Sequence, residues 1–311
     1  MNDMLDVVIV TYNSGDVLPG LLDSLADALA GMDGARVTVA DNASTDDSAA
    51  IARQHRIGAT VIDVGYNSGY SAGINAAVAH SGRHAPMLLL NADIRLGADC
   101  VRQMLDELKK TGAGVVAPKV LHEDGSLNHT LRREPSLLTA WSEALLGGKL
   151  AGRIGLSEMV RDDEAYAKSH AIELASGAIL MISAEARHAV GRWDERYFLY
   201  SEEVDYQRRV REAGFDIRFA ESAECVHLGG ESNVNPRLFT ILTANRVRYF
   251  RQYHGPLATM GLRLAIATWA LVRAPFGPTY RAALRACWMK PGELARLIPS
   301  SRASAALLNQ A

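Results

Sequence analysis

Apolar positions in the first 95 or so residues alternate between two patterns. Short β-branched or leucine-rich runs predict four strands: Asp6-Val7-Val8-Ile9-Val10, Val37-Thr38-Val39-Ala40, Thr60-Val61-Ile62-Asp63-Val64 and Met87-Leu88-Leu89-Leu90. Between them, apolar residues recur at helical spacing. Val17, Leu18, Leu21, Leu22, Leu25 and Leu29 form one face, with Pro19 acceptable in the first turn, where no N–H partner is lost. A second helix, capped by Thr45 or Asp46, runs through Ile51, and a small-residue helix spans Ser71 to His80. Each strand runs into a polar turn. Strict strand–helix alternation predicts an α/β fold, a doubly wound mostly parallel sheet. The Met87 run, with no polar alternation, belongs at its buried centre. In such sheets chemistry sits just beyond the carboxyl ends of the strands, which singles out Asn91-Ala92-Asp93.

Further on, Leu96 to Lys110 reads as an amphipathic helix and Gly114 to Ala117 as a strand. Residues 121–168 carry little periodicity, and Gly147, Gly148 and Gly152 suggest a loop-rich excursion over the site. A small-residue turn, Ala175-Ser176-Gly177-Ala178, precedes the apolar Ile179 to Ile182. The densest functional stretch is Gly191 to Asp205, followed by a helix from Tyr206 to Ala213 with Gly214 as its C-cap. Ile217 to Ala220 and Cys225 to Gly230 complete this part.

From Phe239 onward the texture changes. Large residues such as Phe239, Leu242, Tyr249, Phe250, Trp269 and Trp288 are interspersed with arginines, and no Asp or Glu falls between Ser232 and Gly292. A helical, basic, amphipathic C-terminal extension is expected, suited to lying on an anionic membrane surface. A helical hairpin packed on the rest of the protein, or an oligomer contact, is the alternative. Ser300 to Ala311 reads as a mobile tail.

Composition narrows the class. The 311 residues are 48% hydrophobic and 22% charged, ordinary for a globular protein, and a net charge of -2 gives no push towards nucleic acid. Cys100, Cys225 and Cys287 are widely spaced, which argues against a disulfide framework or zinc site and favours a reducing cytoplasm. The N-terminus has no basic segment of a signal peptide. No apolar stretch reaches the roughly 18 to 20 residues of a membrane span; the nearest, Leu257 to Val272, contains Arg263. Neither a G-x-G-x-x-G fingerprint nor an ATPase phosphate loop follows the first strand. A divalent cation on Asp93 would supply the missing phosphate recognition, the alternative being a helix-capping Asp. Glu202, Glu203 and Asp205 read either as an acidic helix N-terminus or as a site, since two adjacent buried carboxylates are otherwise costly. His122, His129 and His170 have no assigned partner.

Seven segments together resemble the inverting family 2 glycosyltransferases of the GT-A fold, in their bacterial rhamnosyltransferase-like branch. They are Val8 to Asn13, Ala40 to Asp46, Asn67 to Asn75, Leu90 to Asp93, Ser176 to Ala178, Trp193 to Asp205 and Val226-His227, in family order over residues 5 to about 232. The resemblance implies a donor site for a nucleotide sugar at Thr11, Tyr12, Asn13, Asp41, Asn67, Asn91 and Asp93. It implies Glu203 as general base, a role contributing roughly 10²- to 10⁴-fold. Asp93 and His227 would hold a divalent cation, Mg²⁺ or Mn²⁺. Gly177, Trp193 and Glu202 would face the acceptor, Trp193 alternatively lying in the core.

Two departures stand out: Asn91 where many relatives carry Asp, and Glu203 in place of the commoner Asp. The implied organisation is a catalytic domain over 1–232, with a nucleotide-sugar half over 1–118 and an acceptor half over 119–232, then the helical region over 233–311. The implied activity is transfer of a sugar, expected to be L-rhamnose from dTDP-L-rhamnose, to a glycan or polyprenyl-diphosphate-linked acceptor. This would take place at the inner face of the cell membrane, with a homo-oligomer left open. A catalytically silent subunit that binds a nucleotide sugar or a glycan is the rival. A nucleotidyltransferase is disfavoured because Thr11 to Gly15 contains no Arg or Lys.

Overall fold

The computed structural model describes residues 4–229 and 235–298. The first three residues, the expected boundary at 232/233 and the expected tail Ser300 to Ala311 lie outside the described residues. The strands are β1 (Leu5–Thr11), β2 (Ala35–Asp41), β3 (Thr60–Asp63), β4 (Met87–Asn91), β5 (Ile94–Leu96), β6 (Val115–Leu121), β7 (Leu131–Arg132), β8 (His170–Ile172), β9 (Leu174–Ala175), β10 (Ile179–Ile182) and β11 (Ile217–His227). The helices are α1 (Leu18–Ala28), α2 (Ser48–Gln54), α3 (Tyr70–Ser81), α4 (Cys100–Thr111), α5 (Leu137–Leu146), α6 (Gly148–Arg153), α7 (Ala184–Val190), α8 (Glu202–Glu212), α9 (Pro236–Tyr253), α10 (Pro256–Arg273), α11 (Pro278–Ala286) and α12 (Pro291–Leu297).

The main sheet has the order β3-β2-β1-β4-β10-β6-β11-β5, with β8 also on β11. Strands β1, β2, β3 and β4 are mutually parallel, as are β6 and β11, while β10 runs antiparallel between β4 and β6. Alternate side chains feed opposite layers. Val7, Ile9, Leu88 and Leu90 meet α1 and α4 on one face, while Val8, Val10, Met87 and Leu89 meet α3, α7 and α8 on the other. Leu88, Leu89 and Leu90 are fully buried, each contributing about 1.5–3 kcal/mol relative to exposure. Registry then levels the carboxyl ends, with Thr11 opposite Asp41 and Val10 opposite Asn91. At the other end of β1, fully buried Asp6 accepts from Arg187 Nη1 at 2.9 Å and Arg36 Nη2 at 2.6 Å, and Arg187 Nη2 also donates to Gly82 O at 2.5 Å.

Several local expectations are corrected. The stretch 121–168 is not mainly loop: it holds α5 and α6, and Ser136 caps α5 reciprocally with Thr139. Helix α8 starts at Glu202, one turn before the expected Tyr206, because buried Val204 and Tyr206 already set its inner face. Helix α2 starts later, at Ser48, with no side-chain cap on its N-cap Asp47; Asp46 instead accepts from the Ser48 amide at 3.1 Å. The last two expected core segments are one strand, β11, with a register shift between Ala220 and Glu224.

The C-terminal region is helical as expected, and it packs on the sheet and its helices. Tyr249 of α9 joins the α3/α8 core layer, and Ile241 and Ala244 pack with Phe198. Buried Asp205 holds α9, accepting from Tyr253 Oη at 2.6 Å and Gln252 Nε2 at 3.0 Å. Pro256–Phe276 is, against expectation, long and apolar enough to cross a membrane by length and composition, at 21 residues, and 28% of its most apolar window is buried within the protein. Arg263, which had seemed to interrupt it, donates to Cys287 O at 2.6 Å.

Candidate active site

The levelled ends of β1 and β2 make the first half of the site. Asp41 Oδ1 accepts from Thr11 Oγ1 at 2.8 Å and from Ser44 Oγ at 2.6 Å; Oδ2 accepts from the Ser44 amide at 2.9 Å. Since each carboxylate oxygen offers two lone pairs, Oδ2 keeps one acceptor position. Asn13, in the left-handed region with φ 50°, is used internally. Its Oδ1 accepts from the Thr45 amide at 2.8 Å and its own amide donates to Ser44 Oγ at 2.9 Å, so it braces one loop against the other. Tyr12 is 47% exposed beside this brace, an open ring face.

The loop before α3 is pinned by Asn42, whose Nδ2 donates to Gly69 O at 3.1 Å and whose Oδ1 accepts from Ser68 Oγ at 2.8 Å. Asn67 Oδ1 accepts from the Gly69 amide at 3.2 Å. Gly69 has φ +86°, and a Cβ there would lie 2.4 Å from Phe198 O. The next amide, Tyr70 N, donates to that same carbonyl at 2.7 Å. Only glycine allows this approach.

Beyond β4, the turn returns into β5, which pairs with β11 and brings His227 opposite Ile94. Asp93 Oδ2 then sits 3.2 Å from His227 Nε2, while Asp93 Oδ1 is buried with no hydrogen-bond partner among the described residues. A Cβ on Gly229 would fall 2.1 Å from Asp93 Oδ2 and 3.0 Å from His227 Nε2, so glycine keeps this space open. An orphaned carboxylate oxygen, an adjacent imidazole and open space fit a divalent cation. No three His, Cys, Asp or Glu side chains converge among the described residues, so such an ion would draw further ligands from phosphate oxygens and water. Asn91 lies partly buried at the end of β4, its amide donating to Ala178 O at 2.9 Å.

The carboxylate pair opens α8. Tyr200 and Ser201, both at φ 70°, turn the chain sharply into the helix, and Asn245 of α9 donates to Leu199 O at 2.8 Å. Two non-glycine residues held left-handed in succession are strained, and the neighbouring α9 holds them there. Glu202 is 5% exposed with Oε2 unpartnered among the described residues; burial, then the Glu203 charge, hold its carboxyl well above the usual range. Burial also raises Glu203, against the pull of Arg132 and with a smaller push from Glu158. Here the helix N-terminus, which favours anions, is outweighed by desolvation. Glu203 lines a cavity of about 430 Å³ to which α5, α6, α9 and α10 contribute. It also packs on Gly177, where a Cβ would lie 2.8 Å from Glu203 Cβ.

Glu203, Glu202 and Asp93 are brought together, all three acting electrostatically on the buried Tyr70 hydroxyl, whose proton they and its burial hold tightly. Trp193 is not part of this group. It is 3% exposed, stacks on Tyr206 at 4.1 Å and is clasped by Asn75, which accepts from its amide at 3.0 Å. The structure gives Trp193 the core place that was its alternative reading. The sequence reading missed Tyr70 as a member of the group, although it stands in the quoted Asn67 to Asn75 segment, and it missed the cavity residues Arg132, Glu158 and Arg246. No local motif marks the latter three.

Comparisons with known proteins bear on the family and the fold. Residues 6–181 match the Glycosyl transferase family 2 profile. The chain is 31% identical over 238 residues to the N-acetylglucosaminyl-diphospho-decaprenol L-rhamnosyltransferase of Mycobacterium tuberculosis, covering 73% of this chain and 76% of that protein. Its fold superposes on the mannosyltransferase PcManGT of Pyrobaculum calidifontis, solved with GDP-Man and Mn²⁺, with a TM-score of 0.55 and 16% identity, over 98% of this chain and 78% of the other. S. aureus TarS gives a TM-score of 0.54 at 15% identity, over 97% of this chain but only 50% of that longer one. The matched profile, the mycobacterial relative and the shared fold together make the chain a glycosyltransferase of family 2, built on the GT-A fold.

Proposed function

We propose that the protein transfers a sugar, L-rhamnose from dTDP-L-rhamnose, with inversion, to a saccharide carried on a polyprenyl diphosphate. The observation that carries this is Glu203, a base candidate on the wall of a cavity that acts, together with Asp93, on the buried Tyr70 hydroxyl. The donor sugar and the lipid-linked acceptor are taken from the mycobacterial relative's activity. In this reading Asp41 Oδ2 accepts from the N3–H of the pyrimidine and Tyr12 covers the base. Asp93 and His227 would hold a divalent cation, which when bound supplies positive charge against the departing diphosphate. Glu203 takes the proton of an acceptor hydroxyl as its oxygen attacks the anomeric carbon. The bond from that carbon to the diphosphate oxygen breaks, and its electrons leave with the nucleoside diphosphate.

The membrane proposal extends beyond the C-terminal helices. Gly261 and Gly147 of neighbouring segments abut Leu137 and Arg273, so α5 and α10 lie side by side and point the same way. Along this pair Leu138, Leu145, Leu257, Leu264, Leu271 and Phe276 are all exposed. With Lys149, Arg153, Arg273 and Arg281 nearby in the chain, this surface suits an anionic bilayer.

The test is nucleoside diphosphate release from a panel of sugar nucleotides, with Mg²⁺, Mn²⁺ or EDTA and lipid-linked acceptor. Acceptor-stimulated, metal-dependent release from dTDP-rhamnose, lost in Glu203→Gln, is expected. Release from another donor only would discard rhamnose, and tight donor binding without any release would replace transfer by a silent binding role.

A further inference from the structure

Proton removal by Glu203 requires only one face of the cavity; the rest of its lining has a chemistry of its own. Arg132, Arg161 and Arg246 line it with Glu143 and Glu158. Glu158 is shared, with Oε2 2.8 Å from Arg246 Nη2 and Oε1 3.6 Å from Arg132 Nη1. Glu143 accepts from Ser157 Oγ at 2.6 Å and from the Glu158 amide at 2.9 Å, and stands 3.7 Å from Arg246. Arg161 makes no ion pair among the described residues, and the Nε–H groups of all three arginines are buried there without an acceptor. Three guanidinium groups therefore face two committed carboxylates, and the remaining acid, Glu203, is the one whose charge burial disfavours. Buried charged donors left unpaired are destabilising unless a ligand brings the acceptors. Guanidinium forks match phosphate oxygens in geometry and charge.

The rest of the lining is largely apolar, with Phe239, Leu242, Ile266 and Trp269, and Phe239 and Trp269 stacked at 6.1 Å. A hydrocarbon alone has no use for the arginines, and a free anion has no use for this apolar lining. Resting on the transfer reading above, we infer that the cavity binds a phosphate or diphosphate carried on an apolar chain. The arginines take the phosphate oxygens, and Phe239, Leu242 and Trp269 take the first part of the chain, next to the base and beside the proposed membrane face.

The experiment is calorimetric titration of the full chain with three probes: farnesyl diphosphate, farnesol and inorganic pyrophosphate. Farnesyl diphosphate is expected to bind at least about tenfold more tightly than either of the others. Arg161→Gln, which strands no carboxylate, should weaken it by roughly tenfold, with Arg161→Lys in between. Equal binding of farnesol and farnesyl diphosphate overturns the phosphate site. Equal binding of pyrophosphate and farnesyl diphosphate identifies a free-anion site and overturns the lipid. Wild-type affinity in Arg161→Gln overturns the assignment to the arginines; should that variant melt early, the three-probe comparison on the wild type decides. Probe selectivity in a protein that releases nucleoside diphosphate from no donor keeps this site and discards the transfer reading. Transfer without selectivity does the reverse.

Discussion

Gly177→Ala is a sharp probe of the base. Gly177 does not have a left-handed backbone, so alanine is conformationally acceptable, and the only change is a methyl carbon aimed at Glu203. It would stand 2.8 Å from Glu203 Cβ and 3.1 Å from Cγ, where ordinary contact begins near 3.4–4 Å. The gap must open by about 0.6–1.2 Å. The clash falls on the root of the side chain, so bending its far end does not relieve it. Displacing a catalytic group by about 1 Å costs on the order of 10²-fold, comparable with the lower end of losing a general base altogether. The expected result is kcat down roughly 10²-fold, an unchanged donor KM, and stability lowered by no more than about 1–3 kcal/mol. Coupled-enzyme detection of nucleoside diphosphate, with donor and acceptor varied separately, reads all but the last; a urea titration reads that. Full kcat in a folded Gly177→Ala protein would show that proton removal does not occur where Glu203 now stands.

Other expectations follow from the same geometry. Because burial raises the Glu203 carboxyl and only its ionised form accepts a proton, kcat/KM should climb with pH along a limb above the ordinary carboxyl range; Arg132→Gln, removing the opposing pull, should move that limb higher. Glu202 keeps its proton in the folded protein above the unfolded value near 4.5, so it takes stability away as pH rises past that value; Glu202→Gln should raise the melting temperature at pH 8 more than at pH 5. Arg187→Met leaves Asp6 buried with only Arg36 as a charged partner, and chemical denaturation should show a loss of about 3–5 kcal/mol.

Strands β1 to β4 and the helices between them were legible because two-sided burial leaves uninterrupted apolar runs and helical burial leaves a 3.6-residue stripe. The direction of β10 was not: a strand buried on both faces has the same composition whether its neighbours run with it or against it. The first turn of α8 was legible only in part, since Glu202, Glu203 and Asp205 read either as a helix N-terminus, which they form, or as a site. The start of α5 was hidden because Ser136 is answered by Thr139 rather than the usual Glu or Gln. At the site, Asp93, Glu203 and His227 stood in recognisable segments. Arg132, Arg161 and Arg246 did not: backbone pairing of 131–133 with 158–160 brings the first two together, and Arg246 joins them from α9, far along the chain. Trp193 was open to two readings, because a large aromatic beside a catalytic segment serves a core and a pocket equally well on paper; the fold buries it against Tyr206.

The contact of Gly69 and Tyr70 with the Phe198 carbonyl joins two stretches assigned different tasks. One edges the proposed donor site, and the other, four and five residues on, carries the acids. Backbone locked to backbone at 2.7 Å gives neither stretch freedom to settle alone. Filling the donor side therefore also stiffens the arm that presents the base, and an acceptor arriving early meets an arm not yet set. On the proposed geometry this predicts a compulsory sequence of arrival, with the sugar nucleotide binding first and the acceptor second. Initial-rate and product-inhibition patterns would reveal it.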